Sequence, residues 1–125
     1  MSLCPCDSGL QLTACCGPYL TGAWAPTAEA LMRSRYAAFT LLDEAYLLAT
    51  WHPSTRPATL GIANETPRPQ WLGLKIKQHL LQDETHATVE FVARHKVAGR
   101  AYRMHEVSQF VLENGRWFYV TGEVN

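Results

Sequence analysis

The chain has 125 residues, which suits one domain, with 11 basic and 11 acidic residues and a formal net charge of zero. Hydrophobic residues make up 47% and charged residues 18%, which excludes a disordered chain and one with the overall basic excess of a nucleic-acid binder. No apolar run approaches the ~18 residues of a membrane span, so no membrane association is expected.

The N-terminus, Met-Ser-Leu-Cys-Pro-Cys, has neither a basic region nor an apolar stretch, so no secretory leader is expected and the location expected is cytoplasmic. All the cysteines, Cys4, Cys6, Cys15 and Cys16, fall near this end in the pattern C-x-C-x8-C-C. Two close pairs on either side of a turn suit a closed, structural metal site of four thiolates, which favours zinc or iron. Pro5 stiffens the first pair, and Asp7-Ser8-Gly9 supply a polar turn. Gly17 and Pro18 are expected to break any helix that begins near Leu10. The same cysteines admit other uses: a crossed disulfide such as Cys4–Cys16, redox sensing, or inert thiols. The missing export signal weighs against the disulfide. A catalytic zinc is disfavoured, because such a site keeps an open position.

Residues 17–26 carry two glycines and two prolines and form a connector, with Tyr19, Leu20 and Trp24 as expected anchors on the main body. Residues 27–51 give two helices. Thr27 is the N-cap of the first, along which Leu31, Met32, Tyr36, Phe39 and Leu42 recur at helical spacing. Asp43 caps the second, which carries Tyr46, Leu47, Leu48 and Trp51 and ends at Pro53. Residues 53–69, with four prolines, form a loop with one helical turn near 58–65. Four strands follow: Trp71–Leu80, His86–Val97, Tyr102–Leu112 and Arg116–Gly122. Short joins at 82–85, 98–100 and 114–115, the last an Asn-Gly pair, make an antiparallel meander. The fold class expected is α+β: a curved sheet of about four strands covered by N-terminal helices, preceded by a small metal-binding segment.

Alternation places Ala87, Val89, Phe91 and Ala93 on one side of the second strand. On the third strand Glu106 and Ser108 share a side with Tyr102, Met104, Phe110 and Leu112. Polar groups there must line a cavity, meet water or find partners from the helices. The candidate pocket residues are Arg33, Arg35 and Tyr36 on the first helix, Trp51, His52 and Arg56 at the end of the second, His95, and Glu106. His95 and Glu106 are proton-transfer candidates, and an arginine can hold a carboxylate or phosphate. Each also has a structural role open to it. Arg33 or Arg35 can pair with an acid such as Glu29, His52 can cap a helix C-terminus, and the tryptophans can be packing. A buried link from Glu106 to Arg33 or Arg35 is the preferred expectation.

Cys4-Pro5-Cys6-Asp7-Ser8-Gly9 followed by Cys15-Cys16-Gly17 resembles the SEC-C motif of the SecA tail. The resemblance implies one structural Zn²⁺ held by Cys4, Cys6, Cys15 and Cys16. Asp7 stands where the motif usually has glycine, and the spacer 10–14 lacks the motif's lysines. Without them the acidic chaperone SecB, which the SecA tail meets, is not an expected partner. The helix-then-meander layout resembles the nuclear-transport-factor-2-like superfamily, a cystatin-like cone. Residues 26–36, the run Trp51–Arg56, His105–Phe110 and Gly115-Arg116-Trp117 resemble the bacterial YchJ-like family. That implies a SEC-C-like segment over residues 1–26 and a nuclear-transport-factor-2-like domain over 27–125, with no established reaction. The functional expectation is a zinc-binding adaptor or binding module that presents Leu10, Leu12 or Tyr19 to a protein partner. The alternative is a small-molecule enzyme or binder using the cone near Glu106 and His95. Nucleic acid is not an expected partner, since residues 1–26 hold no Lys or Arg.

Overall fold

The computed structural model describes residues 3–64 and 67–124. A 3-10 turn over Leu12–Ala14 leads into a short helix, α1 (Gly17–Leu20). Gly17-Pro18 therefore does more than stop a helix: it opens one, with proline in the first turn, where a missing N–H costs nothing. Glycine is also required for space, because a Cβ on Gly17 would lie 2.8 Å from the Leu12 carbonyl oxygen.

The two expected helices are α2 (Ala28–Thr40) and α3 (Glu44–Ala49). Thr27 accepts a hydrogen bond from the Ala30 N–H at 3.0 Å, and Asp43 from the Tyr46 N–H at 3.1 Å, so both expected caps form. The helical turn in the following loop is a 3-10 turn over Ile62–Asn64; position 65 lies outside the described residues.

The sheet consists of β1 (Gln70–Leu81), β2 (His86–Val97), β3 (Arg100–Glu113) and β4 (Arg116–Val124), antiparallel and in chain order. Asn114-Gly115 turns with φ of 53° and 82°, and Ala98-Gly99 does the same with 51° and 81°. These left-handed pairs match the right-handed strand twist, although Ala98 pays a steric cost that glycine or asparagine would avoid. Register shifts in β1, between Trp71 and Gly73 and between Ile76 and Gln78, and one in β3–β4 bend the sheet.

The concave face buries Leu74 of β1, Ala87, Val89, Phe91 and Ala93 of β2, Phe110 of β3 and Trp117 of β4. Helix α2 lies across it with Leu31, Met32, Arg35 and Tyr36 buried. Cys4, Cys6 and Cys16 belong to the same apolar cluster as Leu31, Tyr36 and Leu74. Tyr19 and Leu20 pack against the core as expected. Trp24 instead lies on the surface, its ring facing the Arg116 guanidinium 5.6 Å away.

The chain after α3 covers the edge of β4, where the Tyr119 N–H donates to Thr50 O at 2.9 Å and the His52 N–H to Tyr119 O at 2.7 Å. No helix among the described residues is long and apolar enough to cross a membrane.

Candidate functional site

The N-terminal loop brings four thiols together. The Cys4 N–H donates to Leu10 O at 2.8 Å and the Asp7 N–H to Cys4 O at 3.2 Å, closing a small turn in which Asp7 (φ 67°) and Gly9 (φ 85°) are left-handed. The second cysteine pair then meets the first. All four Sγ atoms lie within 4.8 Å of one another. Cys6–Cys15 is 3.5 Å and Cys15–Cys16 is 3.9 Å between sulfurs. Tetrahedral thiolates at a metal–sulfur distance of ~2.3 Å are separated by ~3.8 Å, whereas a disulfide requires ~2.05 Å. The spacing thus suits an ion and not a bond, and all four cysteines are free.

The electrostatics agree with that fit. A hydrogen bond from Cys16 holds the Cys6 thiol down at about 4, while the same contact, with burial, pushes the Cys16 thiol up. Burial also raises Cys4. One thiolate forms at its neighbours' expense, so all four ionise together only around a cation. Polar groups stand ready to temper the negative charge: Ser8 Oγ is 3.1 Å from Cys15 Sγ, and Arg33 Nη1 is 4.0 Å from Cys6 Sγ. The cluster can therefore hold a metal ion.

The second site is a cavity of about 280 Å³ between α2 and the concave face, walled by Met32, Phe39, Trp71, Phe91 and Met104, with Arg35, Glu106 and Ser108 as its polar members. Arg35 is 3% exposed. Its Nη1 donates to Leu47 O at 2.8 Å and to Thr50 Oγ1 at 2.7 Å, and its guanidinium carbon lies 4.4 Å from the Tyr119 ring centre and 5.2 Å from that of Trp51. Burial lowers its pKa to about 10, so it remains a cation at neutral pH. Glu106 accepts a hydrogen bond from the Ser108 hydroxyl at 2.7 Å. It lies so close to Gly122 that a Cβ there would come within 2.6 Å of its Oε2.

The expected Glu106–arginine link does not form among the described residues. Arg35 is tied to the C-terminal end of α3 and to two aromatic rings. Arg33, two residues away and hence on the opposite side of α2, pairs with Glu29 at 3.3 Å and donates to Cys6 O at 3.2 Å. Ser108 takes the place assigned to arginine.

Arg35, Tyr36, Trp51 and Glu106 line this one cavity; the other four pocket candidates do not. Besides Arg33, His52 lies in a shallow surface cleft, with Nε2 2.7 Å from Glu113 and Nδ1 2.7 Å from the Ser54 hydroxyl. It does not cap α3, since its backbone belongs to the β4 edge. Arg56 is exposed and donates to Trp51 O at 2.9 Å. His95 lines a separate cleft of about 390 Å³, between the Trp71 and Tyr102 rings, with a buried Nδ1 that has no partner among the described residues.

Trp71, expected as packing, forms a wall of the cavity, and no sequence signal marked Tyr119 as the ring beneath Arg35. The Asn114-Gly115 turn fixes where β4 starts, but the register shift beside Phe110 hides which of its side chains face inward.

Residues 27–122 match the family model described as "YchJ, middle NTF2-like domain". The chain belongs to the YchJ-like family. Similar curated relatives carry the name UPF0225 protein. One from Ralstonia nicotianae is 53% identical, with 97% of this chain and 90% of the relative covered, and one from Chromobacterium violaceum is 54% identical, with 97% and 92% covered. Among solved structures, a SEC-C motif containing protein from Rhodopseudomonas palustris has a TM-score of 0.87 at 36% identity, covering 98% of both chains. One from Psychrobacter arcticus has a TM-score of 0.83 at 31% identity, covering 98% of this YchJ-like chain and 82% of its own.

Proposed function

We propose that this YchJ-like protein is a binding module in which one structural Zn²⁺ on Cys4, Cys6, Cys15 and Cys16 fixes the N-terminal segment, and the cone cavity receives a small uncharged amphipathic molecule. The observation that carries the ligand reading is Arg35. It is a buried cation, 3% exposed, anchored through Nη1 to Leu47 O and Thr50 Oγ1, in the wall of the cavity that Glu106 also lines. Arg35 and Glu106 cancel in charge, so a charged guest gains little over a neutral one. A group that accepts from Arg35 and donates to Glu106, such as an amide or hydroxyl on an apolar body, satisfies both. Trp51, Trp71 and Phe91 supply flat apolar walls for that body.

Zinc is favoured over a catalytic metal because four thiolates close the coordination sphere and Cys6 and Cys16 are 0% and 1% exposed. When bound, the ion crosslinks the two cysteine pairs. The adaptor surface expected from the sequence is reduced: Leu12 and Tyr19 pack inward, leaving Leu10 and Leu3 exposed.

Metal analysis of the purified chain is expected to find about one zinc per molecule. For the cavity, methyl-labelled Met32 and Met104 report directly. Titration with naphthalene-2-carboxamide is expected to shift both methyl signals in the wild type and much less in Glu106→Gln. A folded protein whose two methyl signals stay put throughout the titration removes the ligand reading.

A further inference from the structure

The outer, convex face of the sheet has a different chemistry from the cavity. Lys75, Lys77, Arg94 and Arg103 line one open cleft of about 410 Å³, floored in part by Val92, with Asp7 as its sole acid among the described residues. None of the four cations has an ion-pair partner among the described residues. Lysines on an edge strand such as β1 have an ordinary use, since they deter pairing with another sheet. Arg94 and Arg103 have no such use, because β2 and β3 are interior strands.

These arginines are also direct cross-strand partners, both exposed on the same face. Like charges placed directly opposite each other destabilise a sheet. Nearby Glu90 does not relieve them, since it is engaged with His105 at 2.6 Å. What does approach is Asp7. A Cβ built on Gly73, the residue opposite Arg94, would lie 3.2 Å from Asp7 Oδ2 and 3.5 Å from Arg94 Nη2. The missing side chain of Gly73 thus leaves a hollow that both groups reach, and Asp7 occupies the place of a partial counter-anion. This accounts for an acid at a left-handed position (φ 67°) where glycine would be easier.

We propose that this cleft is a binding site for a compact polyphosphate group, as in inorganic pyrophosphate or the diphosphate of a nucleotide. The cations come from adjacent strands ~4.8 Å apart, so they converge on a patch about 10 Å wide. An extended acidic peptide brings one carboxylate per ~7 Å along a side, too sparse for four cations in that area. Linked phosphates concentrate the charge in one group and accept bidentate contacts from both guanidinium forks.

The test is calorimetric titration of the full, zinc-loaded chain at low ionic strength, with sodium pyrophosphate as the probe. One saturable site is expected, weakened about tenfold or more in the Arg94→Gln/Arg103→Gln double variant. That variant removes a repulsion, so an unchanged circular dichroism spectrum and melting temperature no lower than wild type are expected and separate lost binding from lost fold. Asp7→Gly is expected to bind a few-fold tighter with unchanged zinc content. Orthophosphate is expected to bind at least tenfold more weakly. ADP distinguishes the sources: binding like pyrophosphate admits a nucleotide, and failing to bind restricts the site to free polyphosphate, and either result upholds it. No saturable pyrophosphate binding, equal affinity in the double variant, weaker binding by Asp7→Gly, or tighter binding of a twelve-residue oligothymidylate would each overturn the proposal.

Discussion

The thiol cluster and the cone cavity solve the same problem, placing polar groups inside a small protein, in opposite ways. The cluster draws all four sulfurs from one short stretch, through a turn whose geometry is local. The cavity draws Arg35 from α2, Trp51 from the chain beyond α3, Trp71 from β1, Glu106 from β3 and Tyr119 from β4. A local site is written in spacing. A distributed site is written in register, and register depends on every bulge between its contributors.

The two regions nonetheless share one core, since Cys4, Cys6 and Cys16 pack with Leu31, Tyr36 and Leu74. The most damaging test of the comparison is therefore Cys16→Ser. Loss of the metal, with a polar atom at a buried site, is expected to lower the melting temperature by more than 10 °C, a loss of several kcal/mol measured by calorimetry. A chelator is expected to act in the same direction on the wild type. If hydrogen exchange in β2 and β3 is unaltered in the variant, the segment is a separable appendage and the shared core is energetically minor.

Arg35→Met has the next largest effect. It keeps the side-chain volume but removes the donor that Arg35 gives to Leu47 O and Thr50 Oγ1, at a cost of about 1–3 kcal/mol by denaturant unfolding, and it is expected to abolish amide binding in the cavity. The proposed zinc content of one per chain is expected to be unchanged, which separates the two sites. Gly122→Ala is expected to cost about 1–2 kcal/mol, because the new methyl collides with Glu106. Its sharper readout is displacement of Glu106 and altered Met104 methyl shifts. The smallest effect is at Ala98. Replacement by glycine relieves its positive φ and is expected to raise stability by about 0.5–1 kcal/mol, leaving both sites untouched.

Arg33, Arg35 and Glu106 show where the sequence stops informing. Two positions apart on a helix, the arginines had to face different ways, and helical geometry alone requires that. It does not say which of them turns inward. Arg33 found Glu29 one turn away, a partner visible in the sequence, whereas Arg35 found a carbonyl and a hydroxyl on α3 together with the rings of Trp51 and Tyr119. Glu106 and Ser108 were marked by polarity on an apolar face, but that they would satisfy each other depended on how near the arginines came. His52 and His95 were grouped by residue type with a pocket that neither reaches.

Net charge has the same limit. Equal numbers of acids and bases gave no hint that four cations gather on one convex face, because a total carries no positions. By itself, the sequence determined the four-cysteine loop, both helix caps, the hairpin turns and the order of the strands, all of which rest on contacts between near neighbours in the chain. Only the tertiary structure decided which polar groups share a cavity, which arginine is buried and which face of the sheet is basic. Those depend on long-range packing and strand register, where a shift of one residue sends a side chain to the other face.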